Sequence, residues 1–156
     1  DALKELNMHR KVQLVVSGGI RTGADVAKAM AMGADAVSIG SAAMMALNCN
    51  ADLYVEDYKK LGTEPGYCHH CHTGKCPVGV ATQDPELEKR LNPIEAGKRI
   101  KNYLTTLTLE LQTLARANGK SDVRNLEPED LAALTVEAAA MARVPLAGTD
   151  WIPGKK

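Results

Sequence analysis

A chain of 156 residues is long enough for one domain of ordinary size, and its 45% apolar content is enough for a core. With no Phe and a single Trp, that core has to be aliphatic, built from Leu, Val, Ile, Ala and Met. Nineteen Lys and Arg balance nineteen Asp and Glu, so no net field favours nucleic acid or an acidic membrane surface as partner.

No apolar run approaches the roughly 20 residues that span a bilayer. Nothing after Asp1 reads as a signal peptide. The expectation is a soluble, cytoplasmic chain without membrane or nucleic-acid partners. A first residue other than Met, entering directly into a pattern, points to a piece of a larger polypeptide.

Lys11–Ser17, KVQLVVS, has the length and β-branched content of a buried parallel strand, and Gly18-Gly19 ends it. Thr22 is placed to cap a helix over Gly23–Met32, with Gly33 as its C-terminal glycine. Ala34–Ile39 reads as a second strand, Gly40-Ser41 as a second turn, and Ala42–Leu47 as helical. Strand, glycine turn, helix, twice over, is the βαβα rhythm of a parallel sheet. The methionines Met30, Met32, Met44 and Met45 read as core.

Asp52–Leu61 has the composition of a short helix inside a polar stretch. Tyr67–Asp84, rich in Cys, His and Gly, cannot form long regular structure unaided and needs a bound group to organise it. Asn92-Pro93 opens the longest helix, with Ile100, Leu104, Leu107, Leu111 and Leu114 as one apolar stripe and Gly119 as its end. Ser121–Leu126 reads as a loop. Glu127-Pro128-Glu129-Asp130 then starts a helix over Leu131–Ala142, which Pro145 stops. The tail from Gly148 reads as irregular.

The two glycine turns, Ser17-Gly18-Gly19 and Gly40-Ser41, each follow a strand and precede a helix. Glycines there let backbone N–H groups approach an anion, and paired turns of this kind make the phosphate site of a (β/α)8 barrel. The same glycines also serve a plain tight turn. Two of them, 22 residues apart with the right pattern between, favour phosphate. Arg21 reads equally as a phosphate contact and as a solvated turn cation.

Three of the four cysteines, Cys68, Cys71 and Cys76, fall within nine residues, and Cys49 lies 19 residues before Cys68. Such crowding fits a metal or cluster better than disulfide staples. Thiolates are soft, negative ligands for iron or zinc. The spacing of Cys68 and Cys71 brings two sulfurs to one centre, and a Cys followed by Pro, as in Cys76-Pro77, also ends the bacterial ferredoxin run. A four-cysteine zinc site is the sharpest rival reading. His69, His70 and His72 are taken as flanking residues able to hydrogen-bond to sulfur.

The run Val15-Val16-Ser17-Gly18-Gly19-Ile20-Arg21-Thr22-Gly23, followed by Gly33-Ala34-Asp35-Ala36-Val37-Ser38-Ile39-Gly40-Ser41, resembles the end of the FMN-binding barrel of glutamate synthase. Cys71-His72-Thr73-Gly74-Lys75-Cys76-Pro77-Val78-Gly79-Val80-Ala81-Thr82-Gln83-Asp84 is similar to that family's cluster segment. The resemblance implies an α/β fold forming the C-terminal part of a (β/α)8 TIM barrel. The last two βα units would lie in residues 1–47, an iron–sulfur loop with an insertion in 48–91, and closing helices in 92–156. It implies FMN, held through Ser17, Gly18, Gly19, Arg21, Gly40 and Ser41, beside a [3Fe-4S] cluster.

Cys49, Cys71 and Cys76 match the family's ligands. An insertion from Asn50 to about Tyr67 separates the first from the others. Cys68, at its end, is either a spectator or a fourth ligand, and a fourth thiolate would permit [4Fe-4S]. The implied activity is relay of electrons through the cluster to FMN, for reduction of 2-iminoglutarate to glutamate or chemistry on an N-substituted glutamate. The implied partners are the rest of the flavin domain, an electron-donor subunit or domain in a hetero-oligomer, and a substrate of the glutamate or 2-oxoglutarate type. No residue stands out as a catalytic acid or base. The alternatives are a zinc-binding structural module and a phosphate-binding barrel of inosine-monophosphate-dehydrogenase type, which leaves the CPVGVATQD run unexplained.

Overall fold

The structure is a computed structural model that describes residues 2–9 and 11–154. It is a small α/β structure of helices and one two-stranded parallel sheet. The chain divides into two compact units, one built from the chain up to Ile39 together with Thr106 onward, the other from Gly40 to Thr105.

In the first unit, α1 (Ala2–Glu5) leads to β1 (Val15–Ser17), α2 (Gly23–Ala31) and β2 (Ala36–Ser38). The strands pair in parallel, Val15 with Ala36, Val16 with Val37 and Ser17 with Ser38, so both end at the same edge. The expected strand over Lys11–Ser17 narrows to three residues. Before it, Leu14 is held by side chain as well as backbone: its N–H donates to Asp35 Oδ2 at 2.7 Å, while its carbonyl accepts from Asp35 and Ala36. The strands are also not buried as expected, and Val15 is 61% exposed. A pair of strands has no neighbours to complete the sheet and no second layer over its outer face.

Helix α2 follows the sequence closely. Thr22, in extended backbone, accepts from the Asp25 N–H, and the Asp25 carboxylate accepts from the Thr22 N–H, a complete capping box. Val26, Ala27 and Ala31 face the core. Gly33, at φ +104°, turns the chain out of the helix as expected. Met32 and Met45, expected in the core, are 58% and 61% exposed.

The longest helix, α6, runs from Pro93 to Ala117. Its stripe is buried at Leu107, Leu111 and Ala115, four residues apart, whereas Leu104 is 44% exposed. A straight helix drifts off a seven-residue repeat, so the buried face ends on Ala115 and leaves Leu114 half-buried. Within the same unit α6 abuts α2 at Gly23: a Cβ there would lie 2.5 Å from the Leu107 carbonyl oxygen and 2.6 Å from the Leu111 nitrogen.

The expected helix over Leu131–Ala142 begins only at Val136, as α7 (Val136–Ala142). The acidic run Glu127–Asp130 closes its own 3-10 turn, with the Glu127 N–H donating to Asp130 Oδ2 at 2.9 Å. Thr135 is the true cap, accepting from the Ala138 N–H at 3.1 Å. A small core of Ala133, Ala139 and Val144 is closed by a bridge between Ala133 and Leu146. Ser121–Leu126, expected as a loop, contains a 3-10 turn at Val123–Asn125.

The second unit holds α3 (Ser41–Ala46), α4 (Val55–Lys60), a 3-10 turn at Cys71–Thr73, α5 (Pro85–Glu88) and the first part of α6. Helix α4 lies inside the expected Asp52–Leu61; α5 carries no expectation from the sequence. Among the described residues no helix is long and apolar enough to cross a membrane.

Candidate functional site

All four cysteines lie in the second unit and all are free thiols. Cys49 follows α3 between two asparagines in left-handed backbone, Asn48 at φ +75° and Asn50 at φ +61°. Asparagine tolerates this conformation better than other side chains. Cys71 opens the 3-10 turn and is exposed; Cys76 is buried, and Cys49 and Cys68 are half-buried.

Asn50 joins the distant cysteines. Its Oδ1 accepts from the Cys68 N–H at 2.8 Å, its Nδ2 donates to the Cys68 carbonyl at 3.3 Å, and Nδ2 also lies 3.7 Å from Cys49 Sγ. One amide thus fixes the backbone of Cys68 and touches the sulfur of Cys49. Burial first, then the negative charge of Cys71, Cys76 and Cys68, push the Cys49 thiol above its ordinary range, against the pull of the Asn50 hydrogen bond.

The residues from Thr73 to Asp84 fold back on themselves. Thr73 donates to the His70 carbonyl at 2.8 Å and accepts from the Lys75 N–H at 3.2 Å. Gly74 takes φ +72°, and its carbonyl accepts from the Thr82 hydroxyl. Thr82 in turn accepts from the Asp84 N–H at 3.1 Å, and Asp84 caps α5 by accepting from Glu86 N–H at 2.8 Å. Gly79, at φ +78°, passes so close to the Leu87 carbonyl that no Cβ fits. Cys76 and Pro77 are buried at the base of this loop.

Arg90 locks the loop to α4. Its Nη1 donates to Asp57 Oδ2 at 2.7 Å and to the Pro77 carbonyl at 2.8 Å. The guanidinium also lies 4.3 Å from the centre of the Tyr54 ring. The hydrogen bond from Arg90, then that from Lys60, hold the Asp57 carboxyl below the usual carboxylate range.

Tyr58, on α4, sits at the centre of a small core with Cys76 and Val78, against which Cys68, Val80 and Ala81 pack. It is 1% exposed, yet its hydroxyl has no hydrogen-bond partner among the described residues. Burial, then the charges of Cys68, Cys49 and Cys76, push the phenol up to about 12.

The three histidines form a loose stack, His69 on His70 at 4.9 Å and His70 on His72 at 6.4 Å. His69 Nδ1 meets the Tyr67 carbonyl at 3.1 Å. The hydrogen bonds to sulfur expected of these histidines are not made among the described residues.

The donor chemistry suits a thiophilic group: four free thiols in one unit, two of them packed with a tyrosine whose buried hydroxyl has no partner among the described residues. Among the described residues, no three His, Cys, Asp or Glu side chains are grouped so as to hold a single metal ion.

The first glycine turn belongs to the first unit. Gly18 and Gly19 stand at φ +101° and +70°, and open space lies where a Cβ would be. Beyond it the start of α2 is occupied by the protein's own carboxylates. Asp25 Oδ2 accepts from the N–H groups of Arg21 and Thr22, and Glu110 Oε2 accepts from the Gly23 N–H at 2.7 Å. Gly40 and Ser41 belong to the second unit, where both are exposed and Gly40 precedes α3 without a side-chain cap.

Sequence reasoning missed Asn50, Tyr58, Arg90 and Glu110. An asparagine directly after Cys49 was a local signal for a turn beside that cysteine. Arg90 and Glu110 act across 33 and 87 residues, and nothing local marks them.

Residues 1–121 match the model of the conserved region in glutamate synthase. The chain is 65% identical over 154 residues to a glutamate synthase large subunit-like protein of Rhizobium meliloti (strain 1021), covering 99% of this chain and 35% of that protein. It is 40% identical over 124 residues to the archaeal glutamate synthase (NADPH) of Methanocaldococcus jannaschii, covering 80% of this chain and 21% of that one. It is 34% identical over 117 residues to the glutamate synthase large subunit-like protein YerD of Bacillus subtilis (strain 168), covering 75% of this chain. The chain thus spans about a third or less of the length of these relatives.

Proposed function

The chain belongs to the glutamate synthase family, and on that premise we propose that it carries the iron–sulfur ligands and part of the FMN phosphate site of a longer oxidoreductase. The observation that carries this reading is the set of four free thiols in the second unit, with Cys49 and Cys68 joined through Asn50.

Cys49, Cys71 and Cys76 hold the cluster, as the family pattern implies. Cys68 is tied to Cys49 through Asn50, which favours it as a fourth ligand over a spectator. Buried Pro77, held by Arg90, and the Thr73–Thr82 loop keep Cys76 in place before any cluster arrives, so little ordering remains to oppose loading.

Ser17, Gly18, Gly19 and Arg21 are assigned to the FMN phosphate, and Gly40 and Ser41 share that role by resemblance. The open space at Gly18 and Gly19 supports this, since it lets an anion approach the backbone. The exposed faces of β1 and β2 fit a sheet completed by further strands, as in a (β/α)8 barrel. FMN and the cluster, when bound, supply hydride and one-electron transfer. The substrate, of the glutamate or 2-oxoglutarate type, and the electron donor are assigned to the remainder of that protein.

Iron and acid-labile sulfide counts on the anaerobically purified protein, with an electron paramagnetic resonance spectrum of its oxidised form, test the reading. Bound iron with sulfide supports it; zinc without sulfide overturns it. A signal in the oxidised protein identifies a three-iron cluster, and Cys68→Ser then leaves the count unchanged. An oxidised protein that is silent until reduced identifies four irons, and Cys68→Ser then removes one.

A further inference from the structure

The Tyr58 hydroxyl is the one buried side-chain polar atom left without a partner among the described residues. Leaving such a group unpaired costs about 1–3 kcal/mol, so its presence calls for a partner. The surrounding core is Cys76, Val78, Cys68, Val80 and Ala81, in which sulfur is the only side-chain acceptor. The hydroxyl bonds to neither sulfur. A group held by these cysteines would bring an acceptor to that hydroxyl.

We propose that Tyr58 donates a hydrogen bond to a sulfur of the cluster and so sets its reduction potential. This rests on the iron–sulfur reading above. A donor aimed at a cluster sulfur withdraws electron density and stabilises the reduced form, which raises the potential. Tyr58 is thus a positioning and tuning residue contributed by the inserted segment. Its place on α4 is fixed from outside, because the neighbouring Asp57 is gripped by Arg90.

The test compares wild type and Tyr58→Phe in the intact polypeptide that carries these residues. Iron and sulfide counts come first, then a redox titration followed by electron paramagnetic resonance. The phenylalanine keeps the ring and removes an unpartnered oxygen, so the counts stay equal. The variant's potential falls, by about tenfold in the one-electron equilibrium constant, or about 59 mV.

Equal counts with equal potentials overturn the proposal and leave the cluster reading intact. Wild type without iron and sulfide overturns the cluster reading, and the proposal with it. Should the variant lose its cluster, wild type loaded with its cluster in deuterium oxide, which replaces the exchangeable phenol proton, decides by electron–nuclear double resonance. Loss of a strong proton coupling supports the contact, and an unchanged spectrum overturns it.

Discussion

Arg90 and Asp57 form an ion pair at 2.7 Å across 33 residues, and the same guanidinium nitrogen holds the carbonyl of Pro77 at 2.8 Å. Both side chains are mostly shielded, at 25% and 29% exposure, so the pair is less screened than an ordinary surface contact. One side chain thereby connects helix α4 to the residue that follows the buried Cys76.

Arg90→Ala is expected to cost about 2 kcal/mol, from lost hydrogen bonds to a charged group and the lost contact with the Tyr54 ring. Urea unfolding measures it. The Asp57 carboxyl is held below its ordinary 3.8, so its contribution is present above that pH and is lost as pH falls through the lowered value. The variant should therefore lose less stability than wild type on acidification below pH 3.8.

Gly23→Ala puts a Cβ within 2.6 Å of two backbone atoms of α6, neither of which can move alone. The expected loss is about 3 kcal/mol, read as a drop in Tm. An equivalent change at Gly97, with open space around it, should be neutral or stabilising, since alanine is the better helix former.

Thr22→Ala removes the cap of α2 and is expected to cost about 1 kcal/mol. Hydrogen bonds from Lys28, then from the Arg21 backbone, hold Asp25 at about 2 against an ordinary 3.8. Its folded value is depressed, so its stabilisation is complete above 3.8 and disappears as pH falls toward 2. Asp25→Asn should flatten the acid side of the stability profile over that interval.

Asn50→Ala leaves the N–H and carbonyl of Cys68 without their partners and is expected to cost about 1–2 kcal/mol. In iron-free protein, Cys68 should also react faster with a maleimide, as its segment opens more often. Peptide mapping of the labelled thiol checks this, and an unchanged rate contradicts the role given to Asn50.

Local patterns were legible. The βαβα rhythm, the Thr22 cap, the span of α6 and the place of the cysteine loop all follow from spacing and from residues within a few positions of each other. The start of α7 was misread because an acidic, proline-containing run is a good helix opening, and here Glu127–Asp130 spends it on its own 3-10 turn. The cysteines stood out as candidate ligands, but their setting did not. Tyr58 looks like any aromatic on a short helix, and only the fold packs it against Cys76 and Cys68 with its hydroxyl unpartnered among the described residues. Glu110 looks like one more charge on a long exposed helix.

That last residue has a consequence for anion chemistry. With Glu110 on the Gly23 N–H and Asp25 on those of Arg21 and Thr22, the positive end of α2 is already neutralised from within. A phosphate arriving here competes with two resident carboxylates unless it stays upstream, on Gly18 and Gly19. The start of the helix is thus closed to visiting anions by acids of its own chain.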